Sequence, residues 1–184
     1  MQIEQTPLKD CFILKLKIWN DNRGFFFENY NKTIFEKLSG ENVDFVQDNL
    51  AFSNYGAIRG LHMQLPPYSQ AKLVYCIQGR IIDVAVDVRK NSPTFGKSFA
   101  IELSEENRWQ LFVPKGFLHG YSVLSETALV GYKCDDFYNK ESESGINPLD
   151  KTLNIDWKVP AESQLLSEKD QNAISFLELP EIIL

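Results

Sequence analysis

Between Asn49 and Tyr132, short runs rich in Val, Ile, Phe, Tyr and Leu are cut about every eight to twelve residues by Gly, Pro, Asn or Ser. That rhythm predicts an antiparallel β-sandwich or barrel. Strands are expected over Lys72 to Ile77, Arg80 to Val88, Lys97 to Leu103, Trp109 to Val113, Gly120 to Leu124 and Ala128 to Cys134. Gln78-Gly79 and the run from Lys90 to Thr94 supply turns. Ile82, Val84, Val86 and Val88 share one strand face and Asp83 and Asp87 fall on the other, so one face should be buried and the other should meet solvent or a polar cavity.

Helical signal is confined to two places. Over Lys32 to Ser39, Ile34, Phe35 and Leu38 form one apolar stripe and Gly40 is a stop; a second helix follows Ser167, with Ile174, Phe176 and Leu177 as anchors. From Asp135 to Trp157 the chain is polar and turn-rich, as expected of an excursion across a surface. The expected fold is mainly β, an antiparallel sandwich or jelly-roll barrel with a few short peripheral helices. Its barrel core spans about 45–135, followed by a surface segment and short helix over 136–184.

At 184 residues and 43% hydrophobic content, one domain with a sizeable core is expected. The first dozen residues include Lys9 and Asp10 and show no basic flank leading into an apolar run. The apolar runs Leu73 to Ile77 and Ile81 to Val88 are short or broken by Asp83 and Asp87. A soluble, cytoplasmic protein without membrane contact is expected. Cys11, Cys76 and Cys134 lack metal-type spacing and read as structural thiols. A net charge of -6 argues against a broad nucleic-acid grip and leaves an anionic substrate to a local cationic pocket.

The chain has two histidines, His62 in Arg59-Gly60-Leu61-His62-Met63-Gln64 and His119 in Pro114-Lys115-Gly116-Phe117-Leu118-His119-Gly120, both beside glycines that let backbone approach a ligand. These segments resemble the paired cupin motifs, in which a Gly precedes His-X-His and a Pro-X-Gly precedes a further His. Gln64 stands where the second histidine ligand belongs, and a carboxamide is a poor ligand for a first-row metal. The resemblance is to a cupin without its metal, and no cofactor is expected.

A narrower resemblance joins further motifs: Asp21-Asn22-Arg23-Gly24-Phe25-Phe26-Phe27-Glu28, the run Gln47 to Ser53, Arg59 to Gln64 with Pro66-Pro67, Gln70 and Lys72, then Asp83 to Arg89, Ser92 to Gly96, Tyr132-Lys133, Tyr138 and Leu166 to Asp170. Together these resemble the dTDP-4-dehydrorhamnose 3,5-epimerase family, from residue 21 to residue 170. The resemblance implies epimerisation next to a 4-keto group of a dTDP-4-keto-6-deoxy sugar, in dTDP-L-rhamnose biosynthesis. It implies His62 as the base, Tyr132 as the acid on the opposite face, Lys72 beside the enolate and Asp170 as the carboxylate that orients His62. Neutral imidazole can take and return a proton near neutral pH, and inversion needs a second donor facing it. Ser167-Glu168-Lys169-Asp170 also reads as a helix capping box, and both roles could coexist.

The same resemblance implies Arg23, Arg59 and Lys169 as diphosphate contacts and Gln47, Asn49, His119 and Glu143 as further substrate contacts. Tyr138 would stack on the base, and Arg23, Phe26 and Glu28 would sit on an N-terminal segment exchanged within a homodimer. Three alternatives stay open at this point: inversion at C3 or C5 alone, a sugar-nucleotide binding module without turnover, and a metal-dependent cupin oxygenase.

Overall fold

The computed structural model describes residues 1–183; Leu184, the last residue of the predicted C-terminal segment, lies outside them. In chain order the strands are β1 (Gln2–Gln5), β2 (Phe12–Lys15), β3 (Ile18–Asp21), β4 (Gly24–Phe27), β5 (Gln47–Asn54), β6 (Ile58–Gln64), β7 (Lys72–Gln78), β8 (Arg80–Asp87), β9 (Ser98–Ser104), β10 (Trp109–Val113), β11 (Phe117–Val123), β12 (Thr127–Cys134) and β13 (Glu143–Gly145). They form a six-stranded sheet in the order β1-β2-β10-β7-β12-β5 and a five-stranded sheet in the order β13-β6-β11-β8-β9, with every pairing antiparallel. The first sheet extends beyond the 45–135 core, because β1 and β2 continue it at the β10 edge.

Period-two alternation divides each strand between two environments. The inward set, including Ile13, Val74, Ile81, Ala85, Leu111, Phe117 and Val130, forms one apolar core between the sheets. The outward set of the five-stranded sheet, including Leu61, Met63, Ile82, Val84, Val86 and Leu118, is covered by Ile146, Trp157 and Ile182 of the C-terminal segment. The excursion after Asp135 is therefore a second wall of the fold. Both faces of β8 are buried, so its acidic face does not meet solvent. Asp87 accepts hydrogen bonds from Arg89, Ser92 and Thr94, and Asp83 pairs with His119.

The helix α1 (Lys32–Ser39) matches its expected span, capped by the Asn31 side chain and by Gly40 at φ +73°. Its expected stripe is narrower: Phe35 is fully buried, but Ile34 and Leu38 are exposed. One residue suffices because Phe35 enters an aromatic cluster with Phe12, Tyr30, Phe45 and Phe112 over the six-stranded sheet. The second expected helix is one turn, α2 (Glu168–Gln171), followed by a 3-10 turn at Phe176–Glu178. Phe176 packs on the covering layer, whereas Ile174 and Leu177 are exposed. Ile174 instead bridges to Ile146 through its backbone.

The sequence suggests that Gly60 and Gly120 let backbone approach a ligand; in the structure they instead let β6 and β11 approach each other. A Cβ on Gly60, at φ +122°, would lie 2.5 Å from the Gly120 Cα and 2.7 Å from the His119 carbonyl oxygen. Both contacts are to backbone, so no side-chain rotation relieves them. Gly60→Ala is therefore expected to cost about 3 kcal/mol, from overpacking plus strain at a positive φ. Urea unfolding followed by circular dichroism measures it; an unchanged midpoint would refute this account of the glycine pair.

Candidate active site

The close approach of β6 and β11 sets His62 directly opposite His119 in the strand register. β11 begins at Phe117, earlier than the pattern predicts, because Phe117, His119 and Tyr121 continue its inward face. From the other sheet, β7 supplies Lys72 and β12 supplies Tyr132. His62, Lys72, His119 and Tyr132 line one cavity of about 410 Å³, together with Arg59, Tyr121, Lys169 and Asp170. A second lobe of about 330 Å³ shares His62, Lys72 and Tyr132 and adds Gln47, Asn49, Gln64, Tyr138 and Glu143. The three shared residues stand where the lobes meet.

Asp170 reaches His62 from α2. Ser167 caps this turn by accepting from the Asp170 backbone N–H at 3.1 Å, which holds the residue in place. The Asp170 carboxylate is thereby free for His62, whose Nε2 lies 2.5 Å from its Oδ1. Capping and pairing coexist, with the acid's side chain turned to the histidine. A carboxylate accepts, so Nε2 carries the proton and Nδ1 is left as the basic nitrogen. Burial lowers the His62 pKa below its ordinary 6.5, against the opposing pull of Asp170. The imidazole is neutral at pH 7 and able to accept a proton.

Tyr132 has the complementary bias. Burial raises its phenol above the ordinary value of 10.0, so it keeps its proton at neutral pH. The Lys72 side chain makes no hydrogen bond or ion pair among the described residues. Burial lowers its pKa, with Cys134, Asp83 and Glu143 pulling the other way. An amino group without a protein partner at the junction of two lobes is placed to donate to negative charge that develops on a bound molecule.

Arg59 has the same character. Its Nε donates to Ser53 Oγ at 2.8 Å and its Nη2 to the Phe52 carbonyl at 3.3 Å, and no carboxylate pairs with it among the described residues. Oriented by a hydroxyl and a carbonyl, the guanidinium keeps its charge for an anion. Lys169 instead pairs with Glu143 at 2.6 Å, and Tyr138 donates to the same carboxylate at 3.1 Å. Burial alone would raise Glu143, but Lys169 and Tyr138 outweigh it and hold the carboxyl below its usual range.

Of the fourteen residues singled out in the sequence, eleven line the two lobes: Gln47, Asn49, Arg59, His62, Lys72, His119, Tyr132, Tyr138, Glu143, Lys169 and Asp170. Arg23, Phe26 and Glu28 do not. They belong to or follow the β3–β4 hairpin, a separate two-stranded sheet on which Phe26 is 68% exposed and Arg23 pairs with Asp21. Gln47 is also less free than a substrate contact would suggest, since its Oε1 accepts from the Tyr138 N–H and its Nε2 donates to Asn49.

Sequence reasoning passed over Ser53, Tyr121, Asp83 and Cys134. Ser53 orients Arg59, and Tyr121 lies within 3.4 Å of its hydroxyl. Asp83 is fully buried 2.8 Å from His119 Nε2, and its position on the minority face of an apolar strand was a readable signal. Cys134 is buried like the other thiols, but it also lines the second lobe and receives the Asn49 amide at 3.8 Å. All three cysteines are unpaired. Among the described residues no helix is long and apolar enough to cross a membrane.

This architecture and these motifs have relatives. The family model for dTDP-4-dehydrorhamnose 3,5-epimerase matches residues 5–178. The dTDP-4-dehydrorhamnose 3,5-epimerase of Shigella flexneri is 48% identical over 178 residues, which is 97% of each chain. Among solved structures, the dTDP-4-dehydrorhamnose 3,5-epimerase of Elizabethkingia anophelis is 55% identical, with a TM-score of 0.94 and 97% of each chain covered. The dTDP-6-deoxy-D-glucose-3,5-epimerase of Legionella pneumophila, solved with dTDP-4-keto-L-rhamnose, is 44% identical with a TM-score of 0.93, covering 97% of this chain and 94% of that one. The chain belongs to the dTDP-4-dehydrorhamnose 3,5-epimerase family.

Proposed function

We propose that this chain is an isomerase that inverts C3 and C5 of dTDP-4-dehydro-6-deoxy-D-glucose to give dTDP-4-dehydro-L-rhamnose, in the supply of dTDP-L-rhamnose. The observation that carries the reading is the placement of a His62–Asp170 pair on one side of a cavity, with Tyr132 and Lys72 entering from the opposite sheet. The 4-keto group acidifies the hydrogens on both neighbouring carbons. Nδ1 of His62 removes one of them, and the electron pair moves onto the keto oxygen. Lys72 stabilises that enolate, and the phenol of Tyr132 returns a proton to the other face, which inverts the centre. Exchange with water returns the proton of His62 to solvent and reprotonates Tyr132, and a second round at the other carbon completes the reaction.

Arg59 and Lys169 are read as the diphosphate contacts and the Tyr138 ring as the surface on which the base stacks. His119, held by Asp83, contacts the sugar. The exposed aromatic face of the β3–β4 hairpin, with Trp19, Phe25 and Phe26, together with exposed Leu50 and Phe52 on the edge strand β5, supports a homodimer. In that dimer the hairpin of one copy brings Arg23, Phe26 and Glu28 to the cavity of the other. Three unpaired cysteines support a reducing, cytoplasmic setting.

His62→Ala is expected to lower kcat by about 10²- to 10⁴-fold, the usual contribution of a positioned base. A variant that epimerises at the native rate would contradict the mechanism. The base works only when neutral, and burial lowers its pKa, so the acid limb of kcat/KM should lie below pH 6.5. Asp170→Asn removes the charge that favours the protonated ring, which moves this limb lower still while the rate falls. An acid limb above pH 7 in the native enzyme would contradict the assignment. The shared site has its own test. Mixing inactive His62→Ala with inactive Arg23→Ala under subunit exchange assembles one intact site per mixed dimer, restoring roughly a quarter of native activity. No recovery in dimers shown to have exchanged would place Arg23 outside the neighbour's site.

A further inference from the structure

Gln64, where the cupin pattern has a metal-ligating histidine, is buried, and both ends of its carboxamide are engaged by backbone. Its Oε1 accepts from the Asn139 N–H at 2.8 Å, and its Nε2 donates to the carbonyls of Phe137 and Tyr68, each at 3.2 Å. Two other glutamines act on the same short segment. Gln70 Nε2 donates to the Asp136 carbonyl at 2.7 Å, and Gln47 Oε1 accepts from the Tyr138 N–H at 3.0 Å. Three carboxamides, from β5, from β6 and from the turn between β6 and β7, thus bind a backbone group of each residue from Asp136 to Asn139.

The segment has little else to hold it. Phe137 and Tyr138 are 65% and 53% exposed, so no apolar side chain pins either of them to the core. The tie from the Tyr138 hydroxyl to Glu143 fixes the tip of the ring and leaves the backbone beneath it to the glutamines. The residue type at position 64 follows from the pattern it serves: the segment offers an N–H and a carbonyl to one side chain, and a carboxamide satisfies both. A carboxylate there would still accept from Asn139 but would turn its charge toward two carbonyl oxygens.

We infer that Gln64, with Gln47 and Gln70, is a positioning residue that sets the place of the Tyr138 ring and thereby the affinity for the nucleotide half of the substrate. The inference rests on the reading of Tyr138 as the stacking surface for the base. It separates two tasks on one strand, since His62 and Gln64 are two residues apart on β6, one facing the chemistry and the other fixing the nucleotide platform.

Calorimetric binding of dTDP and steady-state kinetics on the full-length protein test it. Gln64→Glu is expected to raise both the Kd for dTDP and KM about tenfold with kcat within about twofold, the pattern of lost uniform binding. Tyr138→Ala should weaken dTDP comparably, and adding Gln64→Glu to it should cause no further loss, because the clamp acts through that ring. Native dTDP affinity in Gln64→Glu, a fall in kcat at native KM, or losses that multiply in the double variant would each overturn the inference. If Tyr138→Ala itself bound dTDP like the native protein, the stacking reading would fail and the clamp's role with it, which is distinct from the clamp failing alone. Should Gln64→Glu not fold, Gln70→Met removes one bond of the clamp and should weaken dTDP roughly fivefold; native affinity there would equally overturn it.

Discussion

The two sheets face each other through the inward half of every strand, and that one surface has to supply both an apolar core and a set of reactive side chains. It does so by dividing the strands along their length. Val130 and Tyr132 share the inward face of β12, as Val74 and Lys72 do on β7, with the apolar member in the core and the polar member lining the cavity. A register shift beside Gly60 lets Arg59 and His62, three residues apart on β6, share the cavity; beyond it side chains alternate again, so a slip of one residue would send His62 into the outer layer with Leu61 and Met63. Close contact between Gly60 and Gly120 keeps β6 and β11 paired with the two histidines opposite each other.

The same enclosure tunes the chemistry. Burial favours the neutral form of each group, so it lowers the pKa of His62 and Lys72 and raises that of Tyr132. One environment therefore prepares a neutral base and a protonated acid on opposite walls, without a different device for each. Glu143 is the exception, held low by Lys169 and Tyr138 despite its burial.

Much of this was legible in the sequence because strand periodicity and motif spacing are local. The strands from Lys72 to Cys134 and the span of α1 follow from the pattern of apolar residues and turns. β5 and β6 carry no comparable periodic signal, because Gln47, Asn49, Arg59 and His62 interrupt the apolar pattern where the site is built. The strand face marked Asp83 and Asp87 but not their partners, since His119, Arg89, Ser92 and Thr94 arrive from elsewhere in the chain or around a turn. The role of Gln64 could be read only as the absence of a metal ligand. Its positive role needs the Asp136–Asn139 backbone, which the fold brings to it from more than seventy residues away.

The proposed mechanism has one base and one opposed acid, mounted on facing sheets, serve both carbons beside the ketone. It is tested most directly by running the reaction in deuterium oxide and reading the product by NMR. Deuterium at both C3 and C5, each in inverted configuration, is the expected result, with Tyr132→Phe expected to exchange hydrogen at the keto sugar without completing the inversion. Label at one carbon alone would contradict the double epimerisation, and full inversion by Tyr132→Phe at the native rate would contradict the opposed pair.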